Sequence, residues 1–509
     1  MHQSISLSRG RLCLVIAALC GILAWMVWAA WLTGPVISDS WQSIGPAVNA
    51  RAPLDLRGLF LGDFDGFDRV WGHHWPGWAM AMSLTRPWLP FNPIVVFSIE
   101  VVLVALAACI PFEISSSTTG RWLACLVFLT ALLHPEINVA LSLMRPEALT
   151  ALLMVLIVRE LVRVGKKRLA TGIVAVCSFA LPLLHVLGVI APPALVLVVV
   201  LWCRLSPRAL MKNALFSRLL ALSMGWLAGA ATLAVWFPGD PSRLHQFSAN
   251  LAAQRLSAHS LINSARACFF SEPAGLMMLM LFAVTGLTVF AALRKGSRSI
   301  NVLLWAAMPL AALVFSIVAQ NPNRLHLAAL IPCALAACVS HGSAKKDLLT
   351  RWIPLLLVPI ALFTFLFQAN RLLKCVRFGS MGPRHATGEL VKKHDGEGRL
   401  CISLSLWKPA AAVGTKNVRF YAFPNVAEPS YREAAERSLL KDARPGDRLG
   451  FDVTQNDANN DFFEKKAFAH LTFVDPHALG PMIEEIQVKG LSGSRFFRVI
   501  RIDRPPFHS

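Results

Sequence analysis

Residues 12–41 read LCLVIAALCGILAWMVWAAWLTGPVISDSW, and this stretch sets the terms for the whole chain. A helix needs about 20 apolar residues to cross a bilayer, and 12–33 supplies them without a charge. The run is too long for a secretory signal and is followed by no clear small-residue cleavage site, so it reads as a retained span. It then breaks at Gly34-Pro35 and places Asp39 at its mouth. A carboxylate beside lipid carries a solvation cost unless something uses it. Two questions follow: how many more spans the chain holds, and what the acid is for.

The composition answers the first in outline. The 509 residues are 55% hydrophobic and only 15% charged, against about 25% charged in soluble domains, and the mean hydropathy is +0.55. Roughly eleven apolar runs are long enough to be spans, near 12–33, 93–112, 121–136, 146–163, 170–187, 189–203, 217–237, 274–293, 301–319, 325–341 and 352–369. The net charge of +20 does not point to nucleic acid, because most of the excess lies in short loops between these runs. With the N-terminus in the cytoplasm, Arg9 and Arg11, Arg121, Arg159 to Arg168, Arg204 to Arg218, Arg294 to Arg298 and Lys345 to Arg351 all fall on the cytoplasmic side. That is a consistent positive-inside pattern, and basic loops of this kind also contact anionic lipid. Most of the 11 cysteines sit inside apolar runs and act as small hydrophobes, with no zinc-ligand spacing. Cys375 and Cys401 fall in the tail, where a pairing is conceivable. Tyrosine is nearly absent, at 2 against 15 tryptophans, so Trp carries the interfacial aromatic role.

The same topology puts three pieces on the outer face: a loop over about 34–92, a loop near 238–273, and a tail over 371–509. In the tail, RLCISL, NVRFYAF, DRLGFDV, AHLTFV and SRFFRVIRI read as strands and EPSYREAAERSLLKDA as a helix. The expected architecture is a polytopic α-helical membrane domain, 1–370, with a soluble α/β domain at its C-terminus.

The first outer loop is the richest in chemistry. It holds Asp39, Asp55, Asp63, Asp65 and Asp68, and its segment GHHWPGW adds His73, His74 and Trp75. Carboxylates near imidazoles serve as general bases or hold a hard cation such as a divalent metal, although no ligand set is defined. Trp faces pack on sugar C–H surfaces. A solvated turn for DFDGFD and a membrane-interface belt for the tryptophans are the plainer alternatives. In LSLMRPEALT, Arg145 and Glu147 flank Pro146 at the start of a helix. Proline suits a first turn and Glu favours the positive helix end, which accounts for both without function. Equally, Arg145 and Glu147 are placed to orient a ligand. In AQNPNRLHLAALIP, Arg324 and His326 break the positive-inside trend. A guanidinium fork at that depth matches a lipid phosphate, with a snorkelling side chain as the alternative. His185 reads as a histidine satisfied by a backbone carbonyl. Glu100 reads as an intramembrane acid facing the bundle interior, paired with an arginine that the sequence does not name.

Taken together, SDSW after the first span, a long outer loop running into GHHWPGW, RPE after the third span, NPNRLHLAALIP, and the α/β tail resemble the GT-C superfamily of integral membrane glycosyltransferases. Asp39-Ser40 stands where such enzymes more often carry Asp-Glu. The resemblance implies a polyprenyl-phosphate sugar as donor, a lipid, glycan or protein as acceptor, and a bacterial inner-membrane location with the tail periplasmic. It makes Asp39 the general base in an inverting displacement, with Arg324, Arg145 and His326 at the donor phosphate. His73, His74, Trp75, Asp63, Asp65 and Glu147 become substrate contacts. A lipid-linked-sugar transporter or flippase is a rival, although no halves repeat each other. A non-catalytic polysaccharide-assembly factor is another.

Overall fold

The computed structural model describes residues 20–21, 24–25, 76–85, 93–114, 146–163, 168–205, 214–236, 258–270, 273–294, 299–318, 330–331, 334, 355, 358–360, 362–367, 369–370, 373, 381–403, 418–421, 440, 443–452, 475–490 and 493–503. Its first part is helical. In chain order the helices are α1 Pro76–Thr85, α2 Pro93–Ile114, α3 Glu147–Val162, α4 Arg168–Leu184, α5 Val186–Leu205, α6 Ala214–Trp236, α7 Ala258–Phe270, α8 Pro273–Arg294 and α9 Ser299–Val318. Proline opens α1, α2 and α8 and directly precedes α3. It costs nothing there, because the first N–H groups of a helix have no partner anyway. Among the described residues, Leu215–Val235 and Ile300–Ile317 are long and apolar enough to cross a membrane. Many large apolar side chains on these helices point outward, Leu197, Leu227 and Leu310 among them. In water that would be a liability; in lipid it is the expected state.

The adjacent spans expected at 170–187 and 189–203 are two helices. Their break falls at His185 rather than at Gly188. Gly188 is fixed by what lies beside it: a Cβ there would collide with the Leu181 carbonyl. Within α5, Pro193 has no N–H to give the Val189 carbonyl four residues earlier. The Trp226 indole of α6 donates to that oxygen at 3.1 Å instead. Beside the proline pair lies a groove of about 330 Å³, lined by Pro192, Pro193, Leu197, Trp226 and Leu227 among others.

α6 lies against α4 through Gly225 and Gly229, four residues apart in GWLAG. A Cβ on Gly225 would meet Ser178 and the Ala175 carbonyl, and one on Gly229 would meet the Phe179 carbonyl. Small residues at this spacing let membrane helices approach backbone to backbone. At the other end of α3, the Arg218 guanidinium, 1% exposed, donates to the carbonyls of Glu160 at 2.7 Å and Arg163 at 2.5 Å. It thereby caps the carbonyl end of α3. The Glu160 carboxylate is fully buried and pairs with Arg159 at 2.7 Å and Arg163 at 3.4 Å.

The tail contains α10 Met381–His394, β1 Leu400–Ser403, β2 Val418–Tyr421, β3 Arg448–Asp452, α11 Pro476–Leu479, β4 Met482–Gly490 and β5 Gly493–Arg501. The sheet order is β2-β1-β3-β5-β4. β1 pairs in parallel with β2 and β3, while β5 runs antiparallel to β3 and β4. Four of the strands fall where the sequence puts them. AHLTFV and nearly all of EPSYREAAERSLLKDA lie outside the described residues. β4 was not foreseen, for a physical reason. It is an edge strand carrying Glu484, Glu485 and Lys489, and a bulge between Met482 and Glu484 breaks its alternation. The stretch 238–273, expected as an outer loop, contains a helix, α7. Cys401 is buried and is not disulfide-bonded.

Candidate functional site

One end of the helical bundle holds Glu100, Glu147 and His185. α3 begins there with Glu147, 2% exposed. The Pro146 carbonyl accepts both the Thr150 N–H and the Thr150 hydroxyl, each at 2.8 Å, which fixes the first turn. α2 runs beside α3 and brings Glu100, 1% exposed, close enough for the two carboxylates to act on each other.

α4 returns from α3 through the short connection 163–167, so its C-terminus lies at this same end. There His185 interrupts the chain between α4 and α5. Its Nδ1 accepts the Leu187 backbone N–H at 3.1 Å. A neutral ring therefore carries its proton on Nε2. Phe315 of α9 meets the ring edge-on at 5.5 Å between centroids. The short helix α1 lies over this end, with Gly77 against the Leu183 carbonyl and Trp78 1% exposed.

Of the residues expected to form the site, the structure describes Glu147. Asp39, Asp63, Asp65, His73, His74, Trp75, Arg145, Arg324 and His326 lie outside the described residues. One expectation needs correction. Among the described residues Glu100 has no arginine partner, and neither of its carboxylate oxygens receives a hydrogen bond. His185 accepts a backbone amide at Nδ1. The Glu100–Glu147 pairing was missed because 47 positions separate the two, and no periodicity links them. The only hint was a single charge in the apolar run FSIEVVLV. Among the described residues no three His, Cys, Asp or Glu side chains gather around a metal position. The acids offered for a cation by the first loop are not among those residues.

A second charged cluster, in the tail, is structural. His394, at the end of α10, meets Glu484 of β4 at 2.6 Å through Nε2 and accepts from Arg448 of β3 at 2.8 Å through Nδ1. Arg448 also pairs with Glu397. Burial, together with Arg448 and Lys393, holds His394 below its usual range against the pull of Glu484. Burial would raise Glu484, but hydrogen bonds from Lys393 and His394 outweigh it and hold the carboxyl low. Both ring nitrogens are occupied, so the imidazole locks α10 to the sheet and has no free position for acid–base work. Asp447 does similar work: it accepts from the backbone N–H groups of Arg399 at 3.1 Å and Arg444 at 2.9 Å.

No protein-family model and no curated protein matches the sequence. Solved structures do. ArnT from Cupriavidus metallidurans bound to undecaprenyl phosphate aligns over 97% of this chain and 98% of its own, with a TM-score of 0.54 and 11% identity. The apo form of the same protein aligns over 97% and 98%, with a TM-score of 0.51 and 13% identity. The chain has an ArnT-like fold. At such identities the likeness is one of fold, and it runs through the helical part and the α/β tail alike. ArnT belongs to the superfamily that the sequence motifs resemble.

Proposed function

We propose that this chain is a membrane glycosyltransferase. It moves a sugar from a polyprenyl-phosphate carrier to a lipid, glycan or protein acceptor at the extracytoplasmic face of the bacterial inner membrane. The observation that carries the reading is the ArnT-like fold over nearly the whole chain. The positive-inside pattern supports it, since it puts the end bearing Glu100, Glu147 and His185 on the outer side.

In this reading the acceptor hydroxyl attacks the anomeric carbon while Asp39 takes its proton. The bond from that carbon to the phosphate oxygen breaks, and polyprenyl phosphate leaves with the electron pair. One direct displacement inverts the anomeric centre. Arg324 and Arg145 stabilise the charge growing on the phosphate, with His326 beside them; fixed donors of this kind are often the largest single catalytic term. His73, His74, Trp75, Asp63, Asp65 and Glu147 hold the sugar and the acceptor. A phosphate leaving group needs no general acid, so one base suffices.

The test follows release of free polyprenyl phosphate in nanodiscs from polyprenyl-phosphate sugars extracted from the host. Wild type turns over, and Asp39→Asn loses about 10²–10⁴-fold in rate, the weight of a general base. Full activity in folded Asp39→Asn removes that residue from the role. Relocation of the sugar lipid across the bilayer without cleavage makes the protein a transporter.

A further inference from the structure

Glu100 is hard to explain as part of a fold. It is 1% exposed, and neither carboxylate oxygen has a donor. Its neighbours on α2 are buried aliphatics, Val101 and Val104. The charge acting on it is Glu147, which has the same sign. Among the described residues the buried arginine of the bundle is Arg218, which serves the far end of α3. From Glu147 to Glu160 is 13 residues along that helix, about 20 Å at 1.5 Å per residue. Native structures leave few buried polar groups unmatched, and an acid inside a membrane bundle is a functional residue by default. Leucine would fill the same place at less cost in stability.

We propose that Glu100, beside Glu147, is a substrate-binding carboxylate that accepts a hydrogen bond from a donating substituent, hydroxyl or ammonium, on the sugar of the lipid-linked donor. This rests on the glycosyltransferase reading and adds a specificity-determining residue to it. The site lies at the end of the bundle where α1, α3 and His185 converge. Being closed to bulk water, it gives such a bond more weight than an exposed carboxylate would.

The experiment compares wild type, Glu100→Leu and Glu100→Gln by thermal unfolding and by kinetics with the extracted polyprenyl-phosphate sugars. A second arm uses the same fraction after N-acetylation. Glu100→Leu is expected to melt at or above the wild-type temperature, while its KM for the donor rises about 10- to 100-fold, the weight of one hydrogen bond to a charged group. A structural residue would not give that combination. If the partner is a hydroxyl, Glu100→Gln recovers most of the loss and N-acetylation changes nothing. If it is an ammonium, Glu100→Gln behaves like Glu100→Leu and N-acetylated donor is poor for wild type. Wild-type kinetics in Glu100→Leu overturn the proposal. So does a lower melting temperature, which would show that the carboxylate supports the fold. A wild-type protein that releases no polyprenyl phosphate removes the glycosyltransferase reading, and this inference falls with it.

Discussion

Replacing Arg218 tests how the end of the bundle opposite the candidate site is held. Arg218→Met keeps much of the aliphatic stem and deletes the guanidinium. Two hydrogen bonds are lost, to the carbonyls of Glu160 at 2.7 Å and Arg163 at 2.5 Å. In water-soluble proteins, bonds from a charged donor contribute about 1.5–3 kcal/mol each. Within membranes, measured interhelical bonds average about 0.6 and reach about 1.7 kcal/mol. Because the donor is charged and buried, the upper part of the membrane range applies, and two bonds give about 2–3 kcal/mol. Glu160 adds little to that sum, since Arg159 and Arg163 still pair with it. Arg218→Lys offers a point charge rather than a fork and should recover about half. The assay is reversible unfolding in bicelles by denaturing detergent, with Glu160→Gln included for a double-mutant cycle. A loss below about 0.5 kcal/mol in Arg218→Met, the range of an ordinary surface change, would refute the capping argument. So would a lysine variant no better than methionine. Transfer activity should stay near wild type, because this cluster lies about 20 Å from Glu147 along α3.

Two further outcomes follow from the packing and the tail. Gly229→Val drives a side chain into the Phe179 carbonyl, so α4 and α6 must separate, at a cost of about 1–3 kcal/mol or more; unchanged stability in the same bicelle assay would mean the helices do not meet through GWLAG. The tail should loosen in mild acid. His394 is held below its usual value near 6.5, so the unfolded chain binds the proton first. Its stabilisation is complete above about pH 6.5 and is lost as pH falls from there. Glu484, held low, adds a second loss only below about pH 4.5. Hydrogen exchange at β4 and α10 across this range should show the earlier loss in wild type and not in His394→Gln; identical profiles would exclude His394 as the cause.

Much of the helical part was legible because lipid imposes a simple rule. A span must be long and apolar, and its ends show as charges and prolines. The expected span 217–237 is helix Ala214–Trp236, and 274–293 is Pro273–Arg294. Where the sequence misjudged, two signals were superimposed. The expected spans 170–187 and 189–203 divide at Gly188, yet the helices divide at His185 and Gly188 serves as the place where Leu181 comes close. β4 was hidden because an edge strand is protected from aggregation by the very charges that mask its pattern.

The sequence by itself determined the coarse architecture: apolar runs of spanning length followed by a strand-rich tail. It also drew attention to Glu100, since an acid in an apolar run stands out in one dimension. Only the tertiary structure decided what that acid faces. Whether a buried carboxylate has a partner depends on groups from distant parts of the chain, and such pairings leave no local period to read. Here the structure brings a second carboxylate, Glu147, where the sequence led one to expect an arginine. It likewise decided that Trp226 completes the helix that Pro193 interrupts, because the oxygen freed by one helix is satisfied by a side chain from the next.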